Sequence, residues 1–163
     1  NITLTSSYTV SAWIKFKQYG AGWGRLYEFG DSPTFMNSSF FVPNDGLFVT
    51  FCQVKDGNWS FGSYKNSTTL FPLNTWVHLV YVVDYTNNKE TLYINGIEAL
   101  VHYNANWGSV VSSLGTLAVN DIGHSGWDSA HISDLSCKID DFRLYSAALS
   151  KTQAAALYNN AAQ

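Results

Sequence analysis

The chain has 163 residues and a formal net charge of −3, with 46% hydrophobic, 16% aromatic and only 13% charged residues. At this length a domain buries roughly 70% of its unfolded surface, so its core needs neither a metal nor a disulfide. High aromatic and low charge content excludes a disordered chain, scattered basic residues exclude a nucleic-acid footprint, and no strictly apolar run longer than Leu79–Val83 exists to span a bilayer.

Short aromatic and β-branched runs are separated by Gly, Asn, Asp and Ser, the pattern of an all-β fold. In chain order, strands are expected at Tyr8–Phe16, Arg25–Phe29, Leu47–Val54, Trp59–Tyr64, Thr75–Val83, Glu90–Ile94, Ile97–Val101, Thr116–Ile122 and Lys138–Tyr145. Along the first, Val10, Ala12 and Ile14 point one way, and Ser11, Trp13 and Lys15 the other. Thr75–Val83 is apolar on both faces, so it is expected to be a central strand covered on both sides. Asp45-Gly46 and Asp56-Gly57-Asn58 mark turns, and Asn95-Gly96 supplies the two positive-φ residues of a type I′ hairpin. Ser150 and Gln153 form a capping box for one helix, with Ala154, Leu157 and Tyr158 at helical spacing and Asn159-Asn160 at its end. Nothing interrupts residues 1–163, so one domain is expected: an antiparallel two-sheet β-sandwich with a short C-terminal helix.

Cys52 and Cys137 allow either one disulfide or two buried thiols. Sequons at Asn1, Asn37, Asn58 and Asn66 scarcely exceed chance in a chain this rich in Asn, Ser and Thr. The first residue is not Met and no apolar leader precedes Thr3, so a mature product or an excised piece of a larger protein is expected.

Several stretches resemble a known family, in that family's order. They are Tyr8-Thr-Val-Ser-Ala-Trp-Ile-Lys, Leu26-Tyr-Glu-Phe-Gly-Asp, Asn74-Thr-Trp-Val-His-Leu-Val, Thr91-Leu-Tyr-Ile-Asn-Gly-Ile, and Lys138-Ile-Asp-Asp-Phe-Arg-Leu-Tyr followed by Ala148-Leu-Ser. Together they resemble laminin-G-like jelly rolls of the concanavalin A-like lectin/glucanase superfamily. The resemblance implies a jelly roll of two curved antiparallel sheets. Members include carbohydrate-binding modules, lectins, adhesins, sensor domains and parts of glycosidases, so function has to be argued from a site.

Glycoside hydrolysis generally needs two carboxylates flanking the scissile bond. The glutamates are Glu28, Glu90 and Glu98, and the Glu-x-Asp-x-x-Glu strand of retaining glucanases does not occur. Glu28-Phe-Gly-Asp31 comes nearest and lacks the second Glu. No Gly-x-Ser-x-Gly elbow, His-Glu-x-x-His motif or phosphate loop occurs either, so no catalysis is expected.

Tryptophan placement points instead to sugar binding. Trp13 and Trp76 lie within expected strands at family positions and are expected in the core. Trp23, Trp59, Trp107 and Trp127 lie in Gly- or Asn-containing segments. An indole there can stack on a sugar's C–H face or fold back to cap the sandwich. The expected carbohydrate contacts are Trp127 with Asp128 and His124, Trp107 with Asn106, and Trp23; Trp59 is expected to be a cap. Tyr64, Gln53 and Ser63 are the candidates if the concave sheet is used instead.

Alternation along Lys138–Tyr145 puts Asp140 on the Phe142 and Leu144 face, expected to be the core face, where an unpaired carboxylate is costly. The resemblance implies calcium at Asp140, and a rim calcium at Asp31; backbone amides or an arginine are the alternative partners for Asp140. His78 reads as a structural histidine, and zinc at His124 and His131 lacks a further good ligand.

The expected protein is a non-catalytic, lectin-like, extracellular or surface-exposed module of a larger parent, with a glycan ligand and calcium as its cofactor. The expected partners are that glycan and a cell-surface or extracellular-matrix component, without nucleic acid or membrane insertion. The alternative is a protein-interaction or spacer domain of an adhesin or other extracellular protein.

Overall fold

The computed structural model describes residues 1–18, 24–31, 36–42, 48–55, 58–65, 71–103, 115–117, 119–124 and 135–161, with the backbone course alone over 31–65. Among these the strands are β1 (Ile2–Leu4), β2 (Tyr8–Phe16), β3 (Gly24–Asp31), β4 (Met36–Val42), β5 (Phe48–Lys55), β6 (Asn58–Lys65), β7 (Trp76–Asp84), β8 (Lys89–Ile94), β9 (Ile97–Tyr103), β10 (Gly115–Leu117), β11 (Asn120–Ile122) and β12 (Cys137–Tyr145). Helix α1 spans Lys151–Ala161. One antiparallel sheet runs β12-β2-β7-β8-β9, the other runs β11-β3-β4-β5-β6, and β1 pairs with β10 in a two-stranded ribbon. This is the expected all-β jelly-roll sandwich with a C-terminal helix.

The core forms where the inward faces of the two sheets meet. β2 contributes Tyr8, Val10, Ala12, Ile14 and Phe16; β7 contributes Val77, Leu79, Tyr81 and Val83; β3 contributes Leu26, Tyr27 and Phe29. Complete burial of such side chains stabilises by roughly 1.5–3 kcal/mol each. The outward face of β7 is covered as well: Val80 and Val82 pack with Tyr93 beneath Ala154 of α1. That double burial explains the unbroken apolar run in this strand.

Helix α1 starts as its capping box requires. Gln153 N donates to Ser150 Oγ at 3.3 Å, and Ser150 N donates to Gln153 Oε1 at 2.9 Å. The helix continues one residue past Asn159-Asn160, to Ala161. Asn95 and Gly96 both take positive φ, 51° and 76°, as a type I′ turn demands.

Several expectations need correction. Met36–Val42 is a strand pairing with β3 and β5, although its polar Asn37-Ser-Ser stretch lacks a strand-like pattern. Ile2–Leu4 is also a strand. The single strand expected over Thr116–Ile122 is two: β10 pairs with β1 and β11 pairs with β3. Asn120 Nδ2 donates to Leu117 O at 2.9 Å across the change of partner.

Trp13 and Trp76 do not enter the sandwich core. Both lie on the outward face of their sheet. Trp13 is half-buried, with its ring 5.6 Å from Tyr158 of α1 and 5.0 Å from His78. Trp76 is 38% exposed and pairs across the strands with Lys15.

Asp140 does not face the interior. The β12–β2 register shifts between Asp140 and Arg143, where Asp141 takes a φ of 49°. Such a bulge reverses the alternation beyond it. Ile139 and Phe142 therefore both pack on the core. Asp140 is exposed and accepts a hydrogen bond from Asp141 N at 2.8 Å, while Arg143 Nε donates to Asp141 Oδ1 at 2.6 Å.

Cys137 is a half-buried free thiol on β12, and burial pushes its pKa up to about 11. The Cys52 side chain lies outside the described residues.

Candidate functional site

Strand direction places the described flanks of the segments that carry the candidate sugar contacts at two ends of the sandwich. Lys17 N donates to Ser136 O at 2.8 Å, Leu135 N to Gly123 O at 3.2 Å and Gly123 N to Leu26 O at 3.0 Å. These bonds gather the end of β2, the start of β12, the end of β11 and the first half of β3 at one rim. His124 is exposed at this rim, directly after Gly123, whose φ of 76° turns the chain out of β11. His124 and Leu135, which flank residues 125–134, therefore both stand at this rim. Trp127, Asp128 and His131 belong to that segment and lie outside the described residues, as does Trp23 immediately before β3.

The opposite rim holds the end of β9. Tyr103, 70% exposed, pairs with Lys89 before the chain enters residues 104–114. The chain reappears at Gly115 in β10, whose partner β1 leads to the start of β2. Trp107 and Asn106 belong to that segment, outside the described residues. The flanks of the two tryptophan-bearing segments thus stand at opposite ends, and the sequence alone does not separate them. Asp31 ends β3 toward the Tyr103 rim, where Gly30 N donates to Val119 O at 2.7 Å; its side chain is outside the described residues, as are those of Tyr64, Gln53, Ser63 and Trp59.

The glutamates occupy very different surroundings. Glu28 is fully buried on β3, with its Oε2 3.3 Å from Nε of buried Arg25. Glu90 is fully buried on β8, where it shares the inward face with Leu92. It accepts hydrogen bonds from Tyr81 Oη and, at 3.0 Å, from His102 Nδ1 on the neighbouring strand. Burial, with the Glu90 charge second, pushes the Tyr81 phenol well above its usual pKa. The hydrogen bond that His102 donates to Glu90 raises its pKa, against the opposing effect of partial burial. Glu98 is exposed on β9. A buried carboxylate held by two donors suits a structural part better than contact with a substrate. The alternation Glu90-Thr-Leu92 carries a signal for this cluster, because it puts Glu90 on a core face.

His78 is the structural histidine expected. Its backbone N donates to Asn95 Oδ1 at 2.9 Å, and its Nε2 lies 3.0 Å from Ser11 Oγ. Burial lowers its pKa to about 4.

The calcium expectation fits Asp140 poorly. The carboxylate is outward, takes a neighbouring amide, and stands beside an aspartate already engaged by Arg143. Among the described residues no group of three His, Cys, Asp or Glu side chains is placed to hold a metal ion. None of the described helices is long and apolar enough to cross a membrane.

Comparison with known proteins agrees with this architecture. No curated protein is significantly similar in sequence to the chain. Domain 4 of AbnA, a GH43 extracellular arabinanase from Geobacillus stearothermophilus solved in complex with arabinotriose, superposes with a TM-score of 0.68 at 21% identity, covering 96% of this chain and 68% of that one. The CBM40 of Ruminococcus gnavus IT-sialidase gives a TM-score of 0.73 at 13% identity, covering 94% and 83%. Botulinum neurotoxin type C, described as entering cells through interaction with two ganglioside molecules, gives 0.66 at 13% identity, covering 95% of this chain but only 36% of that one. These likenesses show a shared fold. The family model of the concanavalin A-like lectin/glucanases superfamily matches residues 1–155, almost the whole length over which the two sheets and the start of α1 are built, and the chain belongs to that superfamily.

Proposed function

We propose that the protein is a non-catalytic carbohydrate-recognition module of a secreted or surface-exposed protein. The observation that carries this reading is the family's sandwich, at whose opposite rims stand His124 and Tyr103, the residues that flank the two tryptophan-bearing segments in sequence. Related folds support the ligand class: one is described in complex with arabinotriose, another through its interaction with gangliosides. The absence of catalysis in this reading is supported by Glu28 and Glu90, whose carboxylates are fully buried and bound by neighbouring side chains. A glycosidase acid has to reach the glycosidic oxygen, and buried, engaged carboxylates do not.

Trp127 with Asp128 and His124, and Trp23 nearby in sequence to the same rim, form one proposed contact set; Trp107 with Asn106 forms another. Calcium belongs to the proposal through Asp31 at the Tyr103 rim. The test is a glycan array probed in calcium and in chelator, repeated with Trp127→Ala and Trp107→Ala. Binding to a narrow sugar class, lost in at least one variant, is expected. Binding unchanged in both variants overturns the contact assignment. Silence on the array favours the interaction or spacer role, and saturable glycan hydrolysis overturns the non-catalytic reading.

A further inference from the structure

At the Asp84 end of the sandwich three connections meet: β1–β2, β7–β8 and β12–α1. They are held together firmly. Tyr85 N donates to Ser7 Oγ at 3.0 Å, Thr9 Oγ1 donates to Ala147 O at 2.8 Å, and Leu149 N donates to Thr9 Oγ1 at 3.1 Å. Between them lies a cleft of about 640 Å³ whose walls include Ser6, Ser7, Asp84, Tyr85, Asn87 and Ser146. Asp84 and Ala148 also wall a second hollow of about 370 Å³, toward the start of α1, where Lys89, Glu98 and Lys151 stand. Asp84 and Ala148 line both hollows, which therefore adjoin at these two residues as an open surface trough.

The chemistry of this trough is selective. Asp84 is the one charged group among the described residues that line the larger hollow, which disfavours anions there. The hydroxyl-bearing serines and Thr86 and the carboxamide of Asn87 line that hollow together with Tyr85, Ala147 and Ala148, and part of the wall is apolar. A few convergent polar groups on a partly apolar wall are what an uncharged, hydroxyl-rich ligand needs. Asp84 is also fixed in advance. Asn87 N donates to its Oδ1 at 3.1 Å and Asn87 Nδ2 to its Oδ2 at 2.7 Å. A carboxylate has about four acceptor positions, so each oxygen keeps one for a ligand hydroxyl. The two acceptor oxygens of one fixed carboxylate can take hydrogen bonds from two neighbouring ligand hydroxyls. A fixed acceptor also loses little freedom when the ligand arrives.

We propose that this trough binds a neutral oligosaccharide, one unit in the larger hollow and the next reaching past Asp84 toward Lys89 and Lys151. The site uses none of the tryptophan-bearing segments. It rests on the carbohydrate reading only for the class of ligand.

The test is amide chemical-shift mapping of the full chain with maltose, cellobiose, lactose and arabinotriose at millimolar concentration. At least one sugar is expected to shift Asp84, Tyr85, Asn87 and Ser146. Ser146→Trp, at an exposed wall position, is expected to abolish those shifts while the rest of the spectrum is retained. Asp84→Asn is expected to weaken binding about tenfold. Shifts confined to His124 and its surroundings, unaffected by Ser146→Trp, overturn this site and leave the proposed function standing. No shift with any of the four sugars also overturns it, and the glycan array then decides the carbohydrate reading separately.

Discussion

His102 Nδ1 lies 3.0 Å from Oε2 of Glu90, and this contact ties the edge strand β9 to β8 at a point where the carboxylate is fully buried. The histidine's folded-state pKa is raised above its ordinary 6.5, chiefly by that hydrogen bond. A raised histidine binds its proton more tightly in the folded state. Its stabilisation is therefore complete below the unfolded pKa and fades as pH rises through the folded one. His102→Ala is expected to cost about 1 kcal/mol more near pH 5.5 than near pH 8.5. Urea melts of both proteins at the two pH values check this, and an equal cost at both counts against the pairing.

His78 acts with the opposite sign. Burial lowers its folded pKa to about 4 from the ordinary 6.5. Between those values the unfolded chain takes up a proton that the folded protein refuses, so stability drops as pH falls through this window. The effect reaches about 3 kcal/mol at its limit. His78→Gln is less stable near neutrality, where the contacts to Ser11 and Trp13 are lost. Its stability is expected to fall less steeply between pH 6.5 and pH 4 than that of the parent, read by urea melts across the window.

Gly96 and Gly123 both take a φ of 76°, but only Gly96 is also crowded. A Cβ at Gly96 would stand 3.1 Å from Tyr158 Cδ1, whereas one at Gly123 would meet Ile139 Cδ1 at 3.7 Å, an ordinary contact. Gly123→Ala is expected to cost roughly 1–2 kcal/mol for the left-handed backbone alone. Gly96→Ala should cost roughly 1 kcal/mol more, since α1 has to shift from its seat on the sheet. Thermal melts of the two variants side by side measure the difference, and equal costs would show that Tyr158 yields freely.

Asp140→Asn is expected to change stability by less than about 0.5 kcal/mol, as for most exposed substitutions. Calcium that binds the folded chain raises its melting temperature by an amount that grows with the logarithm of ligand concentration over Kd. A calcium-dependent rise that survives Asp140→Asn directs attention to Asp31. A rise abolished by Asp140→Asn restores Asp140 as a ligand from its outward position, and no rise in either protein removes calcium from the proposal.

Much of the fold was legible because side-chain alternation reports burial directly. Val10, Ala12 and Ile14 announced the inward face of β2, and the apolar run Leu79–Val83 announced a strand covered twice. Asn95-Gly96 and the Ser150–Gln153 box were legible because each is a local geometry that few residue pairs satisfy. Asp140 was misread because a bulge adds one residue without any mark in the alternation, and every inference beyond it changes face. Met36–Val42 was missed because pairing with strands on both sides, rather than its own pattern, makes it a strand.

The sequence by itself determined the family, the sandwich, the Asn95-Gly96 turn and the helix, since these depend on period, turn chemistry and short-range capping, while the Asp45-Gly46 and Asp56-Gly57 turns lie outside the described residues. Only the tertiary structure decided which residues meet. It joined Glu90 to His102 across a strand pair, seated Tyr158 on Trp13 and Gly96, and gathered Ser7, Asp84 and Ser146 around one cleft. Those residues are brought together by strand order and packing, long-range properties that no local pattern along the chain encodes.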